Sequence, residues 1–190
     1  MAHDRKTIIA DVTRNVPGSL STEACRVLYN LVEEGLPKDG VILDLNCGHG
    51  RSTVIAAKAL TDKPDAQILA VDTHITDPNS NTPHKDGSLL PFLQYLRMFK
   101  VSARVFPLVA PTSTVSRLLN KKCANMVIVQ LGAHNLLPLV RDAQFAIRKG
   151  GKIIIFSDLV MDDLFPVADY KKTTNADGIQ AWTAIGAKEK

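Results

Sequence analysis

Residues 44–53 combine an acidic residue, a glycine turn and the start of a helix. They read DLNCGHGRST and follow an apolar run at residues 41–43. Gly48 and Gly50 let the backbone approach a ligand at positions where a Cβ would collide with it. The first N–H groups of the following helix have no helical partners and would face that ligand. This order of residue types predicts a site for a nucleotide-like cofactor.

A second carboxylate, Asp72, stands where the cofactor's sugar would bind. It ends the apolar run at residues 67–71 and lies about 20 residues beyond the glycines, the spacing expected of an acid that holds ribose hydroxyls. A nicotinamide fingerprint needs a third glycine, and that position holds Thr53. The alternative is a plain strand-to-helix connection, in which Asp44 caps local amides.

The composition is that of one globular domain spanning residues 1–190. Hydrophobic residues make up 45% and charged residues 22% of the chain. The net charge of +4 comes from scattered lysines without a run of five like charges, so nucleic-acid binding is not expected. No apolar run approaches the roughly 20 residues that span a membrane. The N-terminus, which forms an extension at residues 1–14, is too polar for a signal peptide.

The cysteines point to a reducing, cytoplasmic setting. Cys25, Cys47 and Cys123 are odd in number, widely spaced and without a CxxC motif. This pattern argues against a disulfide framework and against a zinc site.

Apolar runs alternate with helical patterns along the chain, which predicts βαβ units and a parallel sheet. An amphipathic helix comes first, with Ser21 or Thr22 as its cap and Gly35 as its stop. The predicted strands lie at residues 41–45, 67–72, 103–109, 125–130 and 152–156. The predicted helices between them lie at residues 52–60, 89–99, 113–119 and 136–148.

Two segments depart from this alternation. Residues 76–88, TDPNSNTPHKDGS, form a polar stretch long enough to be a lid or a binding loop. Near the C-terminus, Asp177 and Gly178 separate two β-rich runs, at residues 165–173 and 179–185, which is a hairpin signal. The sheet is therefore expected to end in an antiparallel pair, with Trp182 in the core.

From about residue 15 to residue 186, the pattern resembles the class I S-adenosylmethionine-dependent methyltransferases. The family's glycine motif is matched by residues 44–50, and its continuation GRST is similar to the GxST of a small-molecule subset. Asp72, in AVDTH, matches the ribose-binding acid, and residues 148–154 resemble the family's pGG turn. The resemblance implies an α/β fold with a doubly wound, mostly parallel seven-stranded sheet whose last strand is antiparallel.

The resemblance also implies S-adenosylmethionine as the cofactor. Asp44 would receive its amino group directly or through water, a charge-assisted contact. Adenine contact would rely on Thr112, Ser113 or backbone groups. The candidate cofactor-binding residues are Asp44, Asn46, Cys47, Gly48, Gly50, Ser52, Thr53, Asp72, Thr73, Thr112 and Gln130.

The chain departs from the family pattern in two places. Asn46 replaces the first glycine of the motif, and asparagine tolerates the left-handed conformation that such a turn requires. After strand four, where the family often has Asp-Gly-Asp-His, the chain has Leu131, Gly132, Ala133 and His134. Without those carboxylates no magnesium site is expected, and no other metal site is predicted.

Two residues are candidates for catalysis. His134 follows strand four at the carboxyl edge of the sheet, and its near-neutral pKa suits a general base. Asp158 follows strand five and could orient an acceptor. The alternatives are a histidine that caps the next helix and an aspartate that forms a turn.

These observations predict methyl transfer to an oxygen or nitrogen nucleophile of a small molecule. Two alternatives remain: a catalytically inactive binding or scaffold protein with the same fold, and a nicotinamide-dependent oxidoreductase. The apolar stripe along residues 89–99 is expected in the core, although its excess of apolar residues would also suit an acceptor cleft or the face of a homodimer.

Overall fold

The computed structural model describes residues 4–75, 87–130, 136–157, 161–176 and 179–185. The helices are α1 (Arg5–Asn15), α2 (Thr22–Gly35), α3 (Arg51–Lys58), α4 (Leu89–Met98), α5 (Val115–Leu118) and α6 (Leu136–Ala146). The strands are β1 (Val41–Leu45), β2 (Gln67–Asp72), β3 (Val105–Val109), β4 (Ala124–Gln130), β5 (Ile147–Phe156), β6 (Tyr170–Ala176) and β7 (Ile179–Ala184).

The strands form one seven-stranded sheet in the order β3-β2-β1-β4-β5-β7-β6. Neighbouring strands from β3 to β5 are parallel, whereas β7 runs antiparallel to both β5 and β6. The predicted fold class and the closing antiparallel pair are therefore confirmed. The order reverses direction between β1 and β4, and ligands of open α/β sheets bind outside the carboxyl ends of the strands at such a point.

Helices cover both faces of the sheet. On one face α1 to α4 pack against inward residues such as Ile42, and on the other α5 and α6 pack against residues such as Leu43. Because side chains alternate along a strand, Asp44 of β1 points to the same face as Ile42, which is the face that α3 covers. Alternation thus aims the first candidate carboxylate at the helix that follows the glycine turn.

The chain forms a helix where only an N-terminal extension was expected. Ile9 and Val12 of α1 are buried against the first face of the sheet. Arg51, the first residue of α3, donates hydrogen bonds to the carbonyl oxygens of Val16 at 2.7 Å, Leu20 at 2.6 Å and Thr13 at 3.3 Å. This arginine therefore attaches the end of α1 and the α1–α2 connection to the start of α3.

Some predicted boundaries were wrong. The helix expected to reach residue 148 ends at Ala146, and β5 already begins at Ile147. Ile147 pairs with Ala124 across a register irregularity, and Gly150, at φ 79°, carries the chain past it. Local sequence favoured more helix here, whereas pairing with β4 favours strand.

The aromatic and apolar predictions had mixed outcomes. Trp182 is in the core as expected, stacked on Phe165 with ring centroids 4.1 Å apart. In the stripe on α4, Phe92 and Leu96 are buried, but Leu90 is 66% exposed and does not belong to the core. None of the described helices combines the length and the apolar character that crossing a lipid bilayer requires.

Candidate cofactor site

In the turn after β1, every second residue adopts the left-handed conformation. Asn46, Gly48 and Gly50 have φ values of 62°, 54° and 91°. As predicted, Asn46 takes the place of a glycine, and its side-chain amide donates to the carbonyl oxygen of Gln130 at the end of β4 (3.0 Å). Its backbone N–H donates to the carbonyl oxygen of Val71 on β2 (2.8 Å). The turn is thus held by the strands on both sides of β1.

The two glycines of the turn serve different purposes. A Cβ at Gly48 would meet no atom of another described residue within 4 Å, so this position is open on the side of its missing side chain as far as the described residues go. A Cβ at Gly50 would lie 2.7 Å from Cδ2 of Phe92, on α4. At Gly50 the absence of a side chain makes room for the buried ring of Phe92, and contact between this glycine and a ligand stays a prediction.

Asp72 joins the end of β2 to the turn. Its carboxylate accepts hydrogen bonds from the backbone N–H groups of Gly48 (2.8 Å) and His74 (2.7 Å). An ionised carboxylate offers about four acceptor positions, so about two remain for other donors. Asp72 is 8% exposed, which leaves a small accessible part of the group beside the open side of Gly48.

Asp44 lies beneath the turn and is fully buried. It accepts hydrogen bonds from the hydroxyls of Ser52 (2.7 Å) and Thr53 (2.6 Å), and the side-chain amide of Gln130 donates to the Ser52 hydroxyl. The side chains of Ser52 and Thr53 therefore support the first turn of α3 from below. The hydroxyls are thus engaged with Asp44, while the backbone N–H groups of the same residues are the ones that the sequence predicts to face a ligand.

Burial makes the charge on Asp44 unfavourable and raises the pKa of its carboxyl to about 6. Hydrogen bonds from Thr53 and Ser52 lower the pKa, whereas the nearby charge of Asp72 raises it. The second carboxylate oxygen, Oδ1, has no hydrogen-bond partner among the described residues. A buried acid with one oxygen unpaired is a suitable neighbour for a positively charged group.

A cavity of about 430 Å³ opens beside the turn at the carboxyl edge of the sheet. Its lining residues are Asn46, Thr73, Pro111, Thr112, Ser113, Pro138 and Leu139. The fold thus brings three predicted cofactor residues, Asn46, Thr73 and Thr112, to one cavity. Cys47 differs, because its side chain is 2% exposed and packs in the core.

His74 and Ser88, which lie near the turn, were not among the predicted site residues. His74 adopts φ 53° and is 5% exposed, with Nδ1 at 2.8 Å from the hydroxyl of Ser88. Its ring lies 5.2 Å from that of Phe92, the ring that fills the space against Gly50. Burial lowers the pKa of His74, which favours the neutral imidazole. The sequence signal was only its position directly after the predicted ribose-binding segment.

Several predicted features lie outside the described residues. They include both catalytic candidates, His134 and Asp158, and residues 76–86 of the polar stretch. The ends of that stretch meet, because the N–H of Ser88 donates to the carbonyl oxygen of His74 (3.1 Å). Within the described ranges no three histidine, cysteine or acidic side chains cluster in a way that could hold a metal ion.

Comparison with known proteins gives structural matches only. No protein-family model matches the chain, and no curated protein sequence matches it. A methyltransferase from Geobacter sulfurreducens has a TM-score of 0.66 at 15% identity, covering 94% of this chain and 90% of that one. An rRNA methylase from Streptococcus thermophilus has a TM-score of 0.59 at 14% identity, covering 84% and 95%.

A third structural match was solved with ligands. It is a geranyl diphosphate C-methyltransferase from Streptomyces coelicolor, in complex with Mg²⁺, geranyl diphosphate and S-adenosyl-L-homocysteine. Its TM-score is 0.55 at 15% identity, covering 81% of this chain and 52% of that one. The resemblance found in the sequence agrees with these matches. The chain has the seven-stranded fold of these methyltransferases. In this chain the glycine turn, Asp44 and Asp72 lie at the switch point of the sheet.

Proposed function

We propose that this chain is an S-adenosylmethionine-dependent methyltransferase that acts on an oxygen or nitrogen nucleophile of a small molecule. The observation that carries the proposal is the Asp72 carboxylate bound to the N–H of Gly48, a glycine whose Cβ position no other described residue approaches within 4 Å. An acceptor group and open backbone are thus held together at the switch point of the sheet. The fold shared with the methyltransferases described above supports the same assignment.

The residues at the turn fit this cofactor in charge and in shape. The free acceptor positions of Asp72 would take the ribose hydroxyls, and Thr73 and Thr112 line the adjoining cavity in which the adenosyl group would lie. The unpaired oxygen of Asp44 supplies negative charge close to the turn. That charge suits a ligand that carries both an ammonium and a sulfonium group.

The bound cofactor supplies an electrophilic methyl group. The protein's task is to hold the nucleophile in line with that methyl group at about 3 Å and to keep water away. For a hydroxyl acceptor, the new oxygen–carbon bond would form as the methyl–sulfur bond breaks and S-adenosylhomocysteine leaves. A base must take the hydroxyl proton, and His134 is proposed for this role. Asp158 is proposed to orient the acceptor.

Replacing Asp72 with alanine is expected to weaken S-adenosylmethionine binding by roughly 1–3 kcal/mol, because a carboxylate that grips two hydroxyls is lost. Isothermal titration calorimetry measures the effect directly. Asp62→Ala, which removes an exposed acid in the loop after α3, is the matched control and should leave the affinity unchanged. Thermal unfolding of both variants separates lost ligand contacts from a loosened turn, and equal affinities in two folded variants would remove Asp72 from the site.

Calorimetry also separates the alternatives. Failure of S-adenosylmethionine and S-adenosylhomocysteine to bind at millimolar concentration would contradict the proposal, and clear binding of NADH would favour an oxidoreductase. Binding without transfer to any acceptor would indicate a scaffold that has kept the fold. Because one structural neighbour is an rRNA methylase, the acceptor panel should contain RNA besides small molecules.

A further inference from the structure

A second cavity, of about 450 Å³, lies against the start of α3 where α1 ends and α2 begins. Its lining residues are Ala10, Thr13, Arg14, Leu20, Ser21, Thr22 and Arg51. Arg51 directly follows Gly50, the last residue of the glycine turn. One cavity is therefore lined by Asn46, the first residue of the turn, and the other by Arg51, the residue that follows the turn.

The second cavity is cationic. Two arginines and three hydroxyl-bearing residues line it, and none of the described acidic residues does. Arg51 uses its guanidinium on three backbone carbonyl groups and forms no ion pair with a carboxylate in the part of the chain that the structure describes. The nearby acid Glu23 is paired with Arg26 instead.

The two arginines differ in what already holds them. Arg51 has a structural task, because its hydrogen bonds satisfy carbonyl groups at the end of α1 and in the connection to α2. Arg14 is exposed in the last turn of α1 and makes no hydrogen bond or ion pair with another described residue. Its guanidinium, which presents five N–H donors in a planar fork, remains available to a ligand.

The start of α2 adds positive potential to the same place. Ser21 caps this helix by accepting a hydrogen bond from the N–H of Ala24 (3.0 Å), and Ser21 and Thr22 both line the cavity. The positive end of the helix dipole therefore lies beside the two arginines. Hydroxyl donors, a free guanidinium and a helix start are the groups that bind carboxylates and phosphates.

We propose that this cavity binds the anionic group of the methyl acceptor, which would then be a small molecule that carries a carboxylate or a phosphate. The proposal rests on the proposed function, since it places the acceptor across the glycine turn from the adenosyl cavity. Arg14 and the hydroxyls of Ser21 and Thr22 would contact the anionic group, and Arg51 fixes the cavity to the start of α3. The hydroxyl of Thr13 takes no part, because it donates to the carbonyl oxygens of Ile9 and Ala10.

Binding of simple probes tests the cavity without knowledge of the natural acceptor. Inorganic phosphate and benzoate are the charged probes, and benzyl alcohol is the neutral match of benzoate. All three are titrated by calorimetry into the full chain in the presence of S-adenosylhomocysteine. We expect the charged probes to bind and benzyl alcohol to bind more weakly than benzoate. The affinities for phosphate and benzoate, compared with each other, then show which of the two anionic groups the cavity prefers.

Substitution of Arg14 locates the binding. Arg14→Gln should weaken both charged probes about 5-fold, the size of one exposed charge contact, without changing benzyl alcohol binding. Arg97→Gln is the matched control, because Arg97 is the exposed basic residue in the last turn of α4 and lines neither cavity. This control should bind all three probes as the unaltered protein does.

Three results would overturn the proposal: absence of charged-probe binding at millimolar concentration, equal binding of benzoate and benzyl alcohol, or unchanged affinity in Arg14→Gln. Titration of S-adenosylmethionine into the same variants is a separate readout. If the cofactor does not bind while the charged probes do, the proposed function fails and the anion site stands. If the cofactor binds normally and the probes do not, only the anion site fails.

Discussion

Replacing Gly50 with alanine is expected to lower the free energy of unfolding by about 2–5 kcal/mol. The left-handed conformation at φ 91° costs a residue with a Cβ about 1–2 kcal/mol. The new Cβ would also lie 2.7 Å and 2.8 Å from two ring carbons of Phe92. Because that ring is fully buried, it cannot swing away, and overpacking of a core typically costs a further 1–3 kcal/mol or so.

Two other glycines separate the causes of this loss. Gly150 has φ 79°, and a Cβ there would meet no atom of the other described residues within 4 Å, so Gly150→Ala reports the conformational cost alone, about 1 kcal/mol. Gly48 has φ 54° and is equally open, so Gly48→Ala should lose a similar amount of stability. Its Cβ would enter the space that the cofactor needs, and we expect at least a roughly 10-fold loss of S-adenosylmethionine affinity.

Denaturant unfolding of the three variants, together with calorimetry on those that fold, provides the measurements. The expected order of stability places Gly50→Ala well below the other two. The expected order of cofactor affinity places Gly48→Ala below Gly150→Ala, which should bind as the unaltered protein does. Similar stabilities for all three variants would show that Phe92 can yield, and the packing explanation for Gly50 would then be wrong.

This contrast shows what the sequence could reveal about the site. The turn itself was predictable, because its glycines, the preceding acid and the flanking apolar run are local signals. The ring that packs against Gly50 belongs to α4, and residue 92 is distant in sequence. Periodicity assigned Phe92 to a core, but not to the particular contact, which depends on how two helices pack on one sheet face.

The role of Asp44 was obscured for a similar reason. The sequence predicted that Asp44 lies near the cofactor, and the alternation of β1 adds a second role, because it turns the carboxylate under α3, where the hydroxyls of Ser52 and Thr53 bind it. The GRST segment therefore indicates how the turn is supported, through Ser52 and Thr53, as much as which residues contact a ligand. α1 was missed because its inward side offers few apolar residues, and one further tie, the hydrogen bond from Arg51 to the carbonyl oxygen of Thr13, comes from a distant part of the sequence.

The buried charge of Asp44 is expected to make stability depend on pH. Its pKa is about 6 in the folded protein, against an ordinary value of 3.8. Between those values the folded protein keeps a proton that the unfolded chain has released, so the free energy of unfolding falls as pH rises. The contribution is fully present below about pH 4 and is lost above about pH 6. A difference of about two pKa units corresponds to about 3 kcal/mol.

Asp44→Asn isolates this effect from all other titrating groups. Both hydroxyl donors bind the same carboxylate oxygen, so an amide oxygen can replace it, and the amide nitrogen takes the place of the oxygen without a partner. As pH rises from 4 to 7, the unaltered protein should lose about 3 kcal/mol of unfolding free energy that the variant keeps. Denaturant unfolding of both proteins across this range measures the difference. Parallel stability curves for the two proteins would show that Asp44 does not titrate in this range.

The same carboxyl should link cofactor binding to proton release. A cation near Asp44 favours its ionised form, so at about pH 6 binding should expel the proton that the free protein holds. S-adenosylmethionine carries a sulfonium charge that S-adenosylhomocysteine lacks. Below pH 6 its affinity should therefore fall more than the affinity of S-adenosylhomocysteine does. Calorimetry in two buffers of different ionisation enthalpy measures the released proton. Asp44→Asn should bind without this release, and if it releases as many protons as the unaltered protein, the charge that responds to the cofactor lies elsewhere.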